Sequence, residues 1–336
     1  MRVDVSDVAP AGCRTLATEV VAPAAEVPAW LADPPAVMFC FPGGGMSRRY
    51  FDLAAPGYSF AEHACERGFV TVLADHPGAG DSDVPDDGWT LTPETVARVN
   101  AAAAERILAA LKAGVVAGLP PLRPAAVIGV AHSAGALVLI HHQARRRQFD
   151  GVILLGWCGR GLPEYLDDSE RALTSLPGPL TPRLVEGAKR RFGDPLHTLP
   201  RGGSKRTTST GRRMGPARQM LVANSVPAGA HQALAGTRSP LLAVVGYASL
   251  IPGSVRPAAA IVDVPVFIGV GEHDIATGHH AIPAEFPASR DVTLFVLAGA
   301  GHNHNVEPGR EDLWARVTDW AGDLTRRGAG QAAVRR

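Results

Sequence analysis

The sequence predicts an α/β protein built on a doubly wound, mostly parallel sheet. Three observations carry that prediction. Short apolar runs recur along the chain, each closed by turn residues; helical stretches separate them; and one long stretch in the second half breaks the alternation. Runs that are apolar at nearly every position suit strands buried on both faces of a parallel sheet. Strands alternating with helices favour crossover connections of one hand.

In chain order, Val37-Met38-Phe39-Cys40-Phe41 and Val70-Thr71-Val72-Leu73-Ala74 read as buried strands, as do Ala125 to Val130, Val152 to Leu155, Val266 to Val270 and Val292 to Leu297. Helices are expected at Thr92 to Ala113, Ala134 to Arg147 and Glu311 to Leu324. The first of these has Pro93 in its opening turn with Glu94 behind it, and Gly114 to stop it. From Trp157 to Val262 the alternation fails in favour of proline, glycine and arginine, with weaker helical patches at Arg183 to Arg191 and Met214 to Val226. The expected organisation is therefore a core of residues 1–156 and 263–336 interrupted by an inserted helical cap, residues 157–262. Within the cap, Leu199 to Gly215 is basic and close to low complexity, and reads as a flexible loop. It lacks the Gly-Lys-Ser/Thr spacing of a phosphate-binding loop. Arg326 to Arg336 reads as a frayed tail.

A chain of 336 residues can bury a large core as one elaborated domain. With 46% apolar residues, 19% charged residues and a net charge of +1, it has no global field to attract nucleic acid or an anionic membrane. The expected partner is a small-molecule substrate, and a homodimer is left open. Cys13, Cys40, Cys65 and Cys158 lie far apart without CxxC spacing, which argues against a disulfide framework or a metal knuckle and suits a reducing cytoplasm. Neither an export signal nor a run of eighteen apolar residues is expected to direct the chain out of, or into, a membrane. No cofactor and no metal are expected.

The most informative segment is Ala131-His132-Ser133-Ala134-Gly135, entered from an apolar strand and left through the apolar start of a helix. Small residues around the serine permit a turn tight enough to project its hydroxyl from the sheet. A nucleophilic serine needs a base, an acid to orient the base, and donors for the oxyanion. Phe41-Pro42-Gly43-Gly44-Gly45-Met46 follows the first buried strand, where glycines let backbone N–H groups approach a carbonyl. Gly271-Glu272-His273-Asp274 follows a later strand, and Ala298-Gly299-Ala300-Gly301-His302-Asn303 follows the last.

These four motifs, in this order, resemble the α/β-hydrolase superfamily. The resemblance spans Val37 to Gly156 and Val264 to Leu324, and leaves the cap unmatched. It implies Ser133 as nucleophile on a nucleophile elbow, with Ala131 where the family usually has glycine. Asp274 is implied as the acid, with Glu272 in reserve, and His302 as the base, preferred over His304 for its preceding glycine. Oxyanion donors are implied at Gly44 and Ala134, with Pro42 where histidine is common. Asp75-His76-Pro77-Gly78-Ala79-Gly80-Asp81-Ser82 resembles a structural turn of the family, which assigns Asp75 to turn stabilisation and leaves His76 at most bordering the pocket.

The implied activity is a serine hydrolase, cleaving a carboxylic ester or lactone of a hydrophobic small molecule through an acyl-enzyme. Met220-Leu221-Val222, Leu241 to Val245 and Leu250-Ile251 either line its pocket or form the cap's own core. Arg190, Arg191, Arg201, Arg206, Arg212 and Arg213 suggest an alternative, a thioesterase or acyltransferase steering an anionic acyl thioester. The start Phe39-Cys40-Phe41-Pro42 also looks like that of type II thioesterases. A C–C bond hydrolase and a non-catalytic small-molecule receptor on the same fold are further alternatives.

Overall fold

The computed structural model describes residues 1–23, 33–199, 218–223 and 225–334. Its strands are β1 (Arg2–Asp4), β2 (Thr15–Val21), β3 (Val37–Phe41), β4 (Val70–Ala74), β5 (Val127–His132), β6 (Gly151–Leu155), β7 (Leu196–His197), β8 (Leu241–Leu242), β9 (Val266–Gly271) and β10 (Val292–Leu297). All but β7 and β8 join one sheet of eight strands, in the order β1-β2-β4-β3-β5-β6-β9-β10. From β4 to β10 every pairing is parallel, while β1 and β2 run antiparallel along one edge.

Helices α1 (Phe60–Glu66), α2 (Pro93–Ala113) and α3 (Ala134–Arg146) connect the central strands, and α10 (Arg310–Val334) closes the chain. Strand β3 shows why the sheet is covered on both faces. Val37, Phe39 and Phe41 point into a core shared with Val99, Ile107, Leu137 and Ile140 of α2 and α3. Met38 and Cys40 point into a second core with Phe60 of α1 and Trp314 and Val317 of α10. A side-chain period of two thus turns an unbroken apolar run into two buried surfaces. Helix α2 begins and ends as its sequence predicts: the Thr92 side chain accepts from the Thr95 N–H, Pro93 occupies the first turn, and Gly114 takes a left-handed φ of 68°.

Between β6 and β9 lie α4 (Asp168–Arg171), α5 (Leu180–Phe192), α6 (Arg218–Leu221), α7 (Ala228–Ala235), α8 (Ala243–Leu250) and α9 (Arg256–Ala259), with β7 and β8 paired antiparallel. The helical patch expected at Arg183 to Arg191 is therefore the longer α5. The one expected at Met214 to Val226 is only the single turn α6 within the described residues. Most of the low-complexity stretch, residues 200–217, lies outside them, as do Arg201, Arg206, Arg212 and Arg213. The tail differs from expectation, because α10 continues to Val334. Alanines and arginines are strong helix formers and extend a helix already anchored by the packing of Trp314, Val317 and Ala321.

Candidate active site

Parallel pairing brings the ends of β3, β5, β9 and β10 to one edge of the sheet, and every predicted site residue lies there. Ser133 stands between β5 and α3 with φ 54° and ψ −124°, a conformation that a non-glycine residue rarely adopts. Its N–H donates to the Leu155 carbonyl at 2.7 Å, and its carbonyl accepts from Ala136. The neighbours must be small: a Cβ on Gly135 would stand 2.2 Å from the Pro42 oxygen. Ala131 is fully buried, so the turn accommodates its methyl group.

His302 reaches both partners. Its Nε2 lies 2.8 Å from Ser133 Oγ and its Nδ1 2.6 Å from Asp274 Oδ1. A carboxylate only accepts, so Nδ1 carries the proton, and Nε2 is left to accept from the serine hydroxyl. Asp274 also accepts from the Ala276 N–H at 2.9 Å and from Gly271 N–H at 3.3 Å. Burial alone would push its carboxyl up. The positive charge that His302 carries once protonated, with the hydrogen bonds from His302 and His304, outweighs that and holds it well below the usual carboxylate range.

The alternatives left open by the sequence separate cleanly. Glu272 is exposed and its Oε2 accepts from the Gly299 N–H at 2.8 Å, away from His302. His304 does not touch Ser133; its Nε2 lies 2.9 Å from the other oxygen of Asp274. Asp75 is buried in its turn, where its carboxylate accepts from the Arg48 and Asp81 N–H groups, as a stabilising role requires.

Gly44 and Ala134 are neighbours, since a Cβ on Gly44 would lie 3.4 Å from that of Ala134. Among the described residues neither N–H has an acceptor within the protein. Leu241 closes over them, its Cδ1 only 2.6 Å from the position of that added Cβ. The cavity between Gly43, Gly44, Ala134, Leu241, Leu242 and Val245 is about 10 Å³.

Three further residues shape the site, and of these the sequence marks only His76, as bordering the pocket. His132, immediately before Ser133, lies with its Nε2 2.8 Å from the His302 carbonyl, to which only an N–H can bond. Burial, reinforced by repulsion from His302 and His304, holds its imidazole well below the ordinary range. His76 donates Nε2–H to the Pro42 carbonyl at 3.0 Å, while its Nδ1 accepts from Asn100 Nδ2 at 2.8 Å. It thereby props the glycine loop from beneath, and burial lowers its pKa in spite of these bonds. Gly156 has φ 62°, and a Cβ there would stand 3.0 Å from the His302 ring. The carbonyls of Met220 and Leu221 accept from the N–H groups of His302 and Asn303 at 3.0 and 2.9 Å, which ties α6 to the His302 loop. Arg191 is engaged with Glu170 at 3.4 Å and with the Tyr165 carbonyl. Among the described residues no group of three His, Cys, Asp or Glu side chains is placed to hold a metal ion.

Fold and site together define a hydrolase-type arrangement on a parallel sheet, and comparison with known proteins agrees on the fold. The chain belongs to the alpha/beta hydrolase family, whose pattern it matches over residues 37–311. Among solved structures it is similar to a thermophilic esterase from Thermogutta terrifontis, at 15% identity and a TM-score of 0.60, covering 97% of this chain and 98% of that one. It is also similar to a proline iminopeptidase from Mycobacterium smegmatis, at 16% identity and a TM-score of 0.59, covering 97% and 99%. A monoacylglycerol lipase from Paleococcus ferrophilus aligns at 18% identity and a TM-score of 0.57, covering 93% and 98%. No curated protein sequence matches significantly.

Proposed function

We propose that this protein is a serine hydrolase that cleaves a carboxylic ester or lactone of a hydrophobic small molecule through an acyl-enzyme intermediate. The observation that carries the reading is the unbroken relay from Ser133 Oγ through His302 to Asp274, at 2.8 and 2.6 Å. In this reading His302 Nε2 takes the proton as Ser133 attacks the carbonyl carbon, and Asp274 holds the imidazole in the required tautomer and stabilises its positive charge. The carbonyl oxygen, now an oxyanion, is received by the N–H groups of Gly44 and Ala134; removing one such donor costs about 100- to 1,000-fold in rate. His302 returns the proton to the leaving alcohol. It then activates a water that releases the acid and regenerates Ser133.

Residues 157–262 serve as a cap over the core formed by residues 1–156 and 263–336, and Leu241, Leu242 and Val245 present its apolar face to the oxyanion loop. A serine at the elbow supports acyl transfer rather than the aspartyl-ester routes of epoxide opening and dehalogenation. The esterase and the lipase among the similar structures fit ester chemistry, although the peptidase among them shows that this fold does not fix the scissile bond. Of the six cap arginines behind the thioester alternative, Arg191 is held by Glu170 at 3.4 Å, while Arg201, Arg206, Arg212 and Arg213 lie outside the described residues.

The test is hydrolysis of p-nitrophenyl esters of increasing chain length. Ser133→Ala should abolish turnover, and Asp274→Asn should reduce kcat by about 10⁴-fold. A Ser133→Ala variant as active as the wild type would overturn the reading.

A further inference from the structure

Asp274 binds two imidazoles, one on each carboxylate oxygen. His302 Nδ1 lies 2.6 Å from Oδ1, and His304 Nε2 lies 2.9 Å from Oδ2. Only the first of these is needed for a proton relay. We propose that His304 is a positioning residue, which pins Oδ2 of Asp274 so that Oδ1 stays aimed at His302 Nδ1. The inference rests on Ser133, His302 and Asp274 acting as proposed above.

Four donors surround the carboxylate, two on each oxygen. Oδ1 has His302 Nδ1 and the Ala276 N–H; Oδ2 has His304 Nε2 and the Gly271 N–H, the latter at a long 3.3 Å. Without His304, Oδ2 would keep only that weak bond, and the carboxylate could turn about its Cβ–Cγ bond. His304 is itself fully buried on the 3-10 turn His304–Val306 that follows the loop of the base. Its ring meets that of His132 edge-on, with centroids 5.7 Å apart. Because the carboxylate only accepts, the His304 proton sits on Nε2, and Nδ1 is the ring nitrogen without a partner. An apolar side chain would fill this place without burying an unpartnered nitrogen. The one polar contact the ring makes is therefore what the imidazole supplies, and it goes to the acid of the relay.

The experiment compares His304→Leu and His304→Gln, each in the wild-type and in the Asp274→Asn background, with folding checked by thermal melting. Two readouts are followed: kcat and KM on p-nitrophenyl acetate, and the rate at which a fluorophosphonate labels Ser133. Loss of a hydrogen bond to a charged group predicts a fall of about 10- to 100-fold in kcat and in labelling rate for His304→Leu, with KM nearly unchanged. Glutamine, whose amide nitrogen can stand where Nε2 stood, should recover most of the loss. In the Asp274→Asn background His304→Leu should change the labelling rate little, because the charged carboxylate that His304 orients is already gone. An undiminished kcat in His304→Leu, or an equal further loss in the Asp274→Asn background, would overturn the inference while labelled Ser133 left the hydrolase reading standing. A wild-type protein that is not labelled at Ser133 would instead overturn the reading beneath it.

Discussion

Ser133 holds a backbone conformation that its own side chain disfavours, and its surroundings impose it: the strand pairing of β5, the bond to Leu155, and the close approach of Gly135 to Pro42. Strain of this kind persists where neighbouring structure over-determines it, and it lifts the hydroxyl toward His302. Gly156 provides the complementary space. Its φ of 62° is the left-handed region, and a methyl group 3.0 Å from the His302 ring would force that ring to give by a few tenths of an ångström. Gly156→Ala should lower stability by about 1 to 2 kcal/mol through the left-handed backbone alone. It should also reduce kcat by about 100-fold as the imidazole is displaced. Thermal melts and ester kinetics check both, and a variant with wild-type kcat would show that the ring does not depend on this clearance. Ser133, Asp274 and His302 were legible because each follows an apolar run that ends in small residues. The order of elements favours Asp274 over Glu272, and the fold agrees: Asp274 is buried against His302 while Glu272 is exposed. The partners of His132, His76 and His304 were not legible, since they lie 170, 24 and 30 residues away respectively.

At the scale of elements, the buried strands read most directly. Strands β3, β4 and β10 have the bounds that the apolar runs predict; β3 and β4 are buried at every position, whereas β10, at the sheet edge, is half-buried except at Leu297. Strand β5 runs two residues further, to His132, whose polar ring is accommodated by the buried bond to the His302 carbonyl. Strand β1 escaped the sequence pattern because it is a three-residue edge strand with Arg2 and Asp4 exposed, and the seven-residue β2 because Thr18 and Glu19 interrupt its apolar positions. In the segment between β6 and β9, β8 places Leu241 directly over Gly44. This contact limits the group that can sit beside the N–H groups of Gly44 and Ala134. Leu241→Ala should move the preference among p-nitrophenyl esters toward longer acyl chains, by about tenfold or more in relative kcat/KM between hexanoate and acetate. An unchanged chain-length profile would place the acyl group elsewhere.

Across the whole molecule, the sheet order sets β5 beside β3 and β6, and β9 between β6 and β10. Residues far apart in sequence therefore converge at the carboxyl ends of parallel strands, where open α/β sheets bind ligands. Among the described residues no helix is long and apolar enough to cross a membrane. Burial also makes stability depend on pH. Burial holds His76 and His132 below their ordinary range, and brings His142 from 6.5 to about 4. Below pH 6.5 the unfolded chain takes up protons at these rings while the folded chain does not, so stability falls as pH drops. Each ring contributes at most about 1.4 kcal/mol per pH unit within its window. For Asp274 the depressed carboxyl acts at lower pH: its stabilisation is present above the ordinary value of 3.8 and is lost as pH falls through its folded value. Melting temperatures from pH 7.5 to 4.5 should decline, and His142→Phe should flatten the decline by one proton's share. An unchanged slope would mean that His142 does not titrate between the two states.

The claim on which the account turns is that Ser133 is a nucleophile activated by His302. The most direct measurement is fluorophosphonate labelling of the intact protein, with the modified residue located by mass spectrometry in the wild type and in His302→Ala. The account predicts a single label on Ser133 that forms in the wild type and slows by orders of magnitude in the variant. No label on folded wild-type protein, or a label on Ser133 that forms equally fast without His302, would contradict it.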